Sequence, residues 1–157
     1  MNTIMVQICD RQWTLQALHL ACAIARNQQS DVTLVRMIPV QQMTWVGTDL
    51  ANIPMSRDEQ KLVDELQLTA EDYGIKISIR DMQYFTLLEA LVEMAESLES
   101  KAIFATLPDT SLPYWRRFQM WRLQHQLNRR NCQLYTLEPA TADDAKSPSV
   151  TVQPAHG

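Results

Sequence analysis

A chain of 157 residues with a formal net charge of −4 has the length of one domain, and that length is enough to bury a substantial core. Its 46% hydrophobic and 20% charged residues are ordinary for a globular protein, and the negative balance argues against nucleic acid as a partner. The odd cysteine count, without a CxxC spacing, excludes a disulfide framework and a zinc site. Cys9, Cys22 and Cys132 each fall in an apolar stretch, which predicts buried thiols in a reducing compartment.

The beginning of the chain predicts a strand followed by a helix. Residues 3–9 are apolar and partly β-branched, and Asp10 ends the run. That run is too short for a signal peptide, and no apolar run approaches the ~20 residues that span a bilayer, so we expect a cytoplasmic protein. Apolar residues at helical spacing predict a helix over 13–27, and residues 31–38 predict a second strand.

The middle of the chain contains two sequence signals for helix starts. Ser56 with Glu59 is a capping box that opens a helix, and Gly74 suits the position just after that helix ends. Apolar and polar residues alternate over 75–80, which predicts an edge strand. Thr86 with Glu89 predicts a second capping box and a third helix.

The last part of the chain predicts a strand over 102–106, a loop over 107–113, a helix over 114–129 and a strand over 132–138. Residues 139–157 are rich in Pro, Ala, Thr, Ser and Asp and predict a flexible tail. Five strands alternating with four helices predict an α/β domain over residues 1–138, with an open parallel five-stranded sheet and helices on both faces.

This pattern resembles the universal stress protein family over about residues 2–138. The resemblance is carried by the strand ending in Asp10, the alanine-rich helix over 17–26, the proline-terminated strand 34–39, and the passage 127–137 around Cys132. It implies a role in the stress response and a homodimer in which the last strands pair antiparallel across a two-fold axis. Leu134 and Leu137 would then lie near that axis.

The resemblance also implies a nucleotide site, whose key residues are absent here. Nucleotide-binding members have a Gly-x2-Gly-x9-Gly-Ser/Thr segment after the fourth strand, and no glycine lies between Gly74 and Gly157 in this chain. The corresponding positions hold Leu107, Thr110, Met120 and Trp121. A Cβ keeps the backbone away from a phosphate, so the sequence predicts loss of ATP binding and no cofactor.

A remnant of that site is the weaker alternative. Asp10 matches the family position that helps hold the nucleoside, and Asp109, Thr110 and Ser111 could form a polar floor for a small ligand. The competing interpretations are that Asp10 caps the helix before Trp13 and that residues 109–111 form a turn.

No residue pattern predicts catalysis or metal binding. The sequence offers no Ser-His-Asp constellation or paired carboxylates in a plausible pocket, and His19 and His125 lack acidic or cysteine partners at catalytic or metal spacing. We therefore expect neither an enzyme nor a metal protein.

The helix over 114–130 is the most distinctive feature. Met120, Leu123 and Leu127 form one stripe that suits the sheet, whereas aromatic residues form another stripe that the same sheet cannot bury. Five arginines and no acid accompany them. Either a loop containing Met43, Trp45 and Val46 covers the aromatic stripe, or it contacts a partner, an acidic surface or a membrane interface. The predicted contact residues are Trp115, Phe118, Arg122 and Arg129.

These observations together predict a non-catalytic binding or assembly module that acts through protein–protein contacts. A degenerate small-ligand or nucleotide-binding stress protein and a peripheral membrane-associated subunit are the two alternatives.

Overall fold

The computed structural model describes residues 2–40, 55–108 and 112–137. The predicted order of strands and helices is confirmed. The elements are β1 (Thr3–Gln7), α1 (Arg11–Gln28), β2 (Asp31–Pro39), α2 (Arg57–Asp72), β3 (Ile77–Tyr84), α3 (Leu87–Ser97), β4 (Ser100–Phe104), α4 (Pro113–Asn128) and β5 (Gln133–Tyr135).

The five strands form one parallel sheet in the order β3-β2-β1-β4-β5. Strands β1, β2 and β4 are apolar on both faces, as expected for strands covered by helices on each side. Strand β3 alternates between half-buried and exposed residues and lies at an edge, as its sequence predicts. The predicted fold class is therefore confirmed.

The two faces of the sheet bury two separate apolar layers. Helices α1 and α2 cover one face, where Ile4, Val6 and Leu34 point, and α3 and α4 cover the other, where Met5 and Val35 point. This division follows from the two-residue period of a strand, which sends successive side chains to opposite faces. Helices α2 and α4 consequently lie on opposite sides of the molecule.

The helix starts only partly match their sequence signals. At α2 the Ser56 hydroxyl accepts a hydrogen bond from the Glu59 N–H at 3.2 Å, but the Glu59 carboxylate bonds to Arg36 instead of returning to the cap. Gly74 has a φ of +71°, the left-handed conformation that its position after α2 requires. At α3 the predicted capping box is wrong, because Thr86 makes no side-chain cap hydrogen bond.

Several strand boundaries differ from the sequence prediction: β1 ends at Gln7 instead of residue 9, and β4 spans Ser100–Phe104 instead of 102–106. Strand β3 begins and ends later than predicted because it pairs with β2 in continuous register from Val32 to Pro39, which draws its polar end into the sheet. Strand β5 is shorter than predicted because only three of its residues pair with β4. Residues 41–54, 109–111 and 138–157, which include the predicted covering loop and tail, lie outside the described residues.

Within the described ranges, no helix is both long and apolar enough to cross a membrane.

Candidate functional site

The strand order reverses direction at β1, whose neighbours are β2 on one side and β4 on the other. In open α/β sheets, ligands bind at the carboxyl ends of the strands beside such a reversal. Here the side chain of Gln7, at the end of β1, accepts a hydrogen bond from the Thr106 N–H at 2.9 Å. The Ala105 N–H before it donates to the Tyr135 carbonyl at 3.2 Å, so the first two backbone donors of the loop after β4 are already bonded within the chain.

Asp10 follows β1 and serves as the N-cap of α1. Its Oδ1 accepts a hydrogen bond from the Trp13 N–H at 2.9 Å, and its backbone carbonyl accepts one from the Thr14 hydroxyl at 2.7 Å. The capping interpretation of Asp10 is thus confirmed. The residue remains exposed, at the end of the sheet where a ligand would lie.

Trp13 fills the space beside Asp10. The indole is buried in the α1–α2 layer, and its Nε1–H donates to the Leu137 carbonyl at 3.2 Å. This bond joins the first turn of α1 to the chain just after β5, 124 positions away. The bond therefore fixes the start of α1 relative to the chain that leaves the sheet.

Arg116, in the first turns of α4, turns back onto the loop that follows β4. Its Nε donates to the Leu107 carbonyl at 3.3 Å, and its Nη2 lies 3.5 Å from the Thr106 hydroxyl. Leu107, at a position that the family pattern gives to glycine, is buried. The loop is thus held by side chains of the same chain. Of the four predicted remnant-site residues only Asp10 is placed, because Asp109, Thr110 and Ser111 lie outside the described residues.

Helix α4 has two apolar faces, as its sequence predicts. Leu123 and Leu127 are fully buried against the sheet, with Met120 half-buried beside them. The opposite face exposes the aromatic residues, with exposed fractions of 82% for Tyr114, 49% for Trp115, 47% for Phe118 and 60% for Trp121.

The exposed rings form a continuous row along α4. Ring centroids are 5.7 Å apart between Trp115 and Phe118, 6.2 Å between Phe118 and Trp121, and 5.5 Å between Trp121 and His125. We call these four residues the aromatic row. Each ring lies within the range of aromatic–aromatic contact of the next, so the row presents a continuous aromatic surface.

Exposed arginines flank the aromatic row. Arg122 and Arg129 lie on one side of it by helical position and Arg117 on the other, and all three are exposed. None of the three makes an ion pair with any carboxylate in the described part of the chain, whereas Arg130 pairs with Glu96 at 3.4 Å. Trp115, Phe118, Arg122 and Arg129, the predicted contact residues, thus lie together on one exposed face.

The exposed apolar surface extends beyond the residues that the sequence singled out. Of the seven exposed large hydrophobic side chains among the described residues, one, Phe85, lies just before α3, and five lie on α4 or immediately before it: Leu112, Tyr114, Trp115, Phe118 and Trp121. The sequence does not predict the exposure of Phe85 and Leu112, because each precedes a helix and belongs to no periodic stripe. The remaining one, Leu68, lies on α2 on the opposite side of the molecule.

The predicted dimer residues are buried in their own chain. Leu134 packs in the α3–α4 layer and Leu137 in the α1–α2 layer. The open feature of β5 is its outer backbone edge, since β4 pairs with its inner edge.

The three thiols are unreactive by their surroundings. Cys22 and Cys132 are buried and Cys9 is half-buried. Burial raises the pKa of the Cys132 thiol to about 12 and, together with the nearby Asp10 charge, that of Cys9 to about 12, so the nucleophilic thiolate is scarce at neutral pH. The described residues contain no group of three or more His, Cys, Asp or Glu arranged to hold a metal ion.

Neither the protein-family models nor the curated proteins include a match to this chain. Solved structures do match. A universal stress protein in complex with cAMP has 16% identity and a TM-score of 0.61, covering 88% of this chain and 98% of its own. A universal stress protein family member from Burkholderia pseudomallei has 17% identity and a TM-score of 0.59, covering 88% and 96%. One from Archaeoglobus fulgidus, in complex with dAMP, has 14% identity and a TM-score of 0.52, covering 88% and 98%.

These likenesses extend over nearly the whole of the described chain at low sequence identity. The protein therefore has the universal-stress-protein fold, and the resemblance inferred from its sequence is confirmed at the level of the fold.

Proposed function

We propose that this protein is a non-catalytic binding or assembly module that has lost ATP binding and acts through protein–protein contacts. The observation that carries the proposal is the exposed aromatic row on α4, with its flanking arginines and no acid between residues 112 and 130. Large apolar patches are rare on soluble monomers unless they bind something, and Trp, Tyr and Arg dominate the energy of typical protein interfaces.

The contact surface can be tested by affinity capture from an extract of the source organism. We expect the wild-type protein to retain partner proteins that the double variant Trp115→Ala with Phe118→Ala loses, because truncating two neighbouring rings removes the centre of the surface. Added salt should weaken the contribution of the arginines to binding, since salt screens exposed charges. The contribution of the aromatic side chains should remain unchanged.

The matched control is Leu68→Ala, which removes an exposed apolar side chain from α2 on the other face of the sheet. It should retain the same partners as the wild type. Unchanged partners with the double variant would contradict the proposal. So would a fall of several degrees in its melting temperature, since that result would mean the rings are covered within the chain.

Nucleotide binding is the second candidate function, and the solved structures with cAMP and dAMP favour it. Two features of α4 are compatible with it: the helix begins without an acidic residue in its first turn, and Arg116 lies there. Against it stand the missing glycines and the intramolecular bonds of Thr106 and Leu107, which occupy the loop where phosphates would bind.

Calorimetric titration with MgATP, AMP and cAMP separates these two functions. We expect no binding, because a phosphate would have to displace Gln7 and Arg116 and approach a backbone that carries side chains. A dissociation constant in the low micromolar range, about −8 kcal/mol, would contradict the loss of binding and favour the nucleotide function.

We also propose a homodimer formed by pairing of β5, whose outer edge leaves backbone N–H and C=O groups open. Leu134 and Leu137 would hold β5 in position for this pairing, because each packs in one of the two core layers. Sedimentation velocity is expected to show a dimer, and only monomer at high micromolar concentration would contradict it.

A further inference from the structure

A cavity of about 150 Å³ lies between the first turns of α3 and α4. Its lining is mainly apolar, from Leu87, Leu88, Leu107, Pro108 and Trp115, with polar groups from Thr86, Arg116 and Gln119. Trp115 is also the first ring of the aromatic row, so the row leads into the cavity. An exposed apolar surface that ends in a concave pocket is the usual setting of an anchor residue in a protein interface.

The first turns of α3 and α4 both line this cavity. Neither N-cap residue, Thr86 or Leu112, makes a side-chain cap hydrogen bond; the first turn of α3 carries Glu89, whereas that of α4 carries no acid. The first turns of helices carry a partial positive charge that favours nearby anions. Together with the arginines that flank the row, this makes the surface complementary to carboxylates.

Among the residues that the structure describes, the negative charge beside this surface comes from α3. The outer face of α3, which packs beside α4, exposes Glu89 and Glu93, and Glu96 pairs with Arg130. A flat anionic bilayer would have to approach these glutamates together with the aromatic row. A narrow peptide need approach α3 only at the cavity and can otherwise follow α4. The cavity and this charge pattern therefore favour a peptide over a membrane.

We propose that the partner binds α4 through an acidic peptide segment with one large apolar side chain. The apolar side chain occupies the cavity beside Trp115, and carboxylates of the segment meet Arg122 and Arg129 along the aromatic row. This inference rests on the proposed function and specifies the chemistry of the partner at that same surface.

The probe for the test is a random peptide library displayed on phage and selected on the full-length protein. We expect an enriched motif with several Asp or Glu and one Leu, Phe or Trp. A labelled peptide carrying that motif should bind about 30-fold more weakly to Trp115→Ala, and at least roughly tenfold more weakly to Arg122→Glu at low salt. Gln119→Phe, which fills the cavity without removing any ring of the row, should also abolish binding.

Two matched controls lie on α2. Leu68→Ala removes an exposed apolar side chain and Arg57→Glu reverses an exposed charge, both away from α4, and each should leave the affinity within about twofold, a change of less than 0.5 kcal/mol. Circular dichroism of every variant verifies that it is folded.

Three results would overturn the inference. The first is the absence of an acidic motif, and the second is a motif whose affinity ignores the α4 substitutions. The third is stronger co-sedimentation with phosphatidylcholine vesicles containing phosphatidylglycerol than with pure phosphatidylcholine vesicles, lost in Arg122→Glu, which would assign the surface to a membrane. If affinity capture still depends on Trp115 and Phe118 but no acidic motif appears, the chemistry of the partner is wrong and the contact surface stands.

Discussion

Replacing Trp13 by alanine is expected to lower the free energy of unfolding by about 4 kcal/mol, because it leaves a cavity in the α1–α2 layer and deletes a buried indole. The indole is 6% exposed and packs in the layer that contains Leu18 and Phe104. It also donates the hydrogen bond that ties Leu137 to α1. One side chain therefore fills the core and fixes the chain as it leaves the sheet.

Trp13→Phe separates these two contributions. Phenylalanine keeps most of the apolar volume but cannot donate to the Leu137 carbonyl, and a buried acceptor left without a partner costs about 1–3 kcal/mol. We expect this variant to lose roughly half as much stability as the alanine variant. Urea unfolding monitored by circular dichroism measures both, and a loss below about 1 kcal/mol for Trp13→Ala would contradict the packing described for this residue.

The sequence predicts the layers of this protein well because they depend on local periodicity. The alternation of strands and helices, the buried stripe of Leu123 and Leu127 and the left-handed Gly74 all follow from patterns within one element. The two-faced nature of α4 also follows, since a stripe of aromatic residues opposite a stripe of leucines cannot face the same sheet.

The sequence does not predict contacts between distant residues. Gln7 bonds to Thr106 across 99 positions, and Trp13 reaches Leu137 across 124. Both bonds depend on the reversal of strand order at β1, which places β4 beside the first strand and β5 beside β4. The same limitation explains why the capping box at Ser56 is only half formed. Glu59 has the expected position in sequence, but its carboxylate accepts a hydrogen bond from Arg36 on β2 instead of from the cap.

Replacing Arg36 by alanine is expected to lower the free energy of unfolding by about 3 kcal/mol. Its guanidinium donates to both oxygens of Asp81, at 2.9 and 2.7 Å, and to Glu59 Oε2 at 2.9 Å. The side chain is 11% exposed, and the hydrogen bonds that it donates to Asp81 and Glu59 raise its pKa, so it stays charged. It joins β2 to the edge strand β3 and to the start of α2.

The expected cost lies at the low end of the 3–5 kcal/mol typical for breaking a buried pair, because water can reach both carboxylates once Arg36 is removed. Arg36→Lys is the matched control. It keeps the positive charge but lacks the planar fork that bonds both Asp81 oxygens, so we expect it to recover only part of the loss.

A double-mutant cycle of Arg36→Ala with Asp81→Ala measures the coupling directly in urea unfolding. We expect a coupling energy above about 1 kcal/mol, because two parallel charge-assisted hydrogen bonds join the two residues across neighbouring strands. Additive effects of the two substitutions would show that the Arg36–Asp81 pair contributes no more than a surface ion pair.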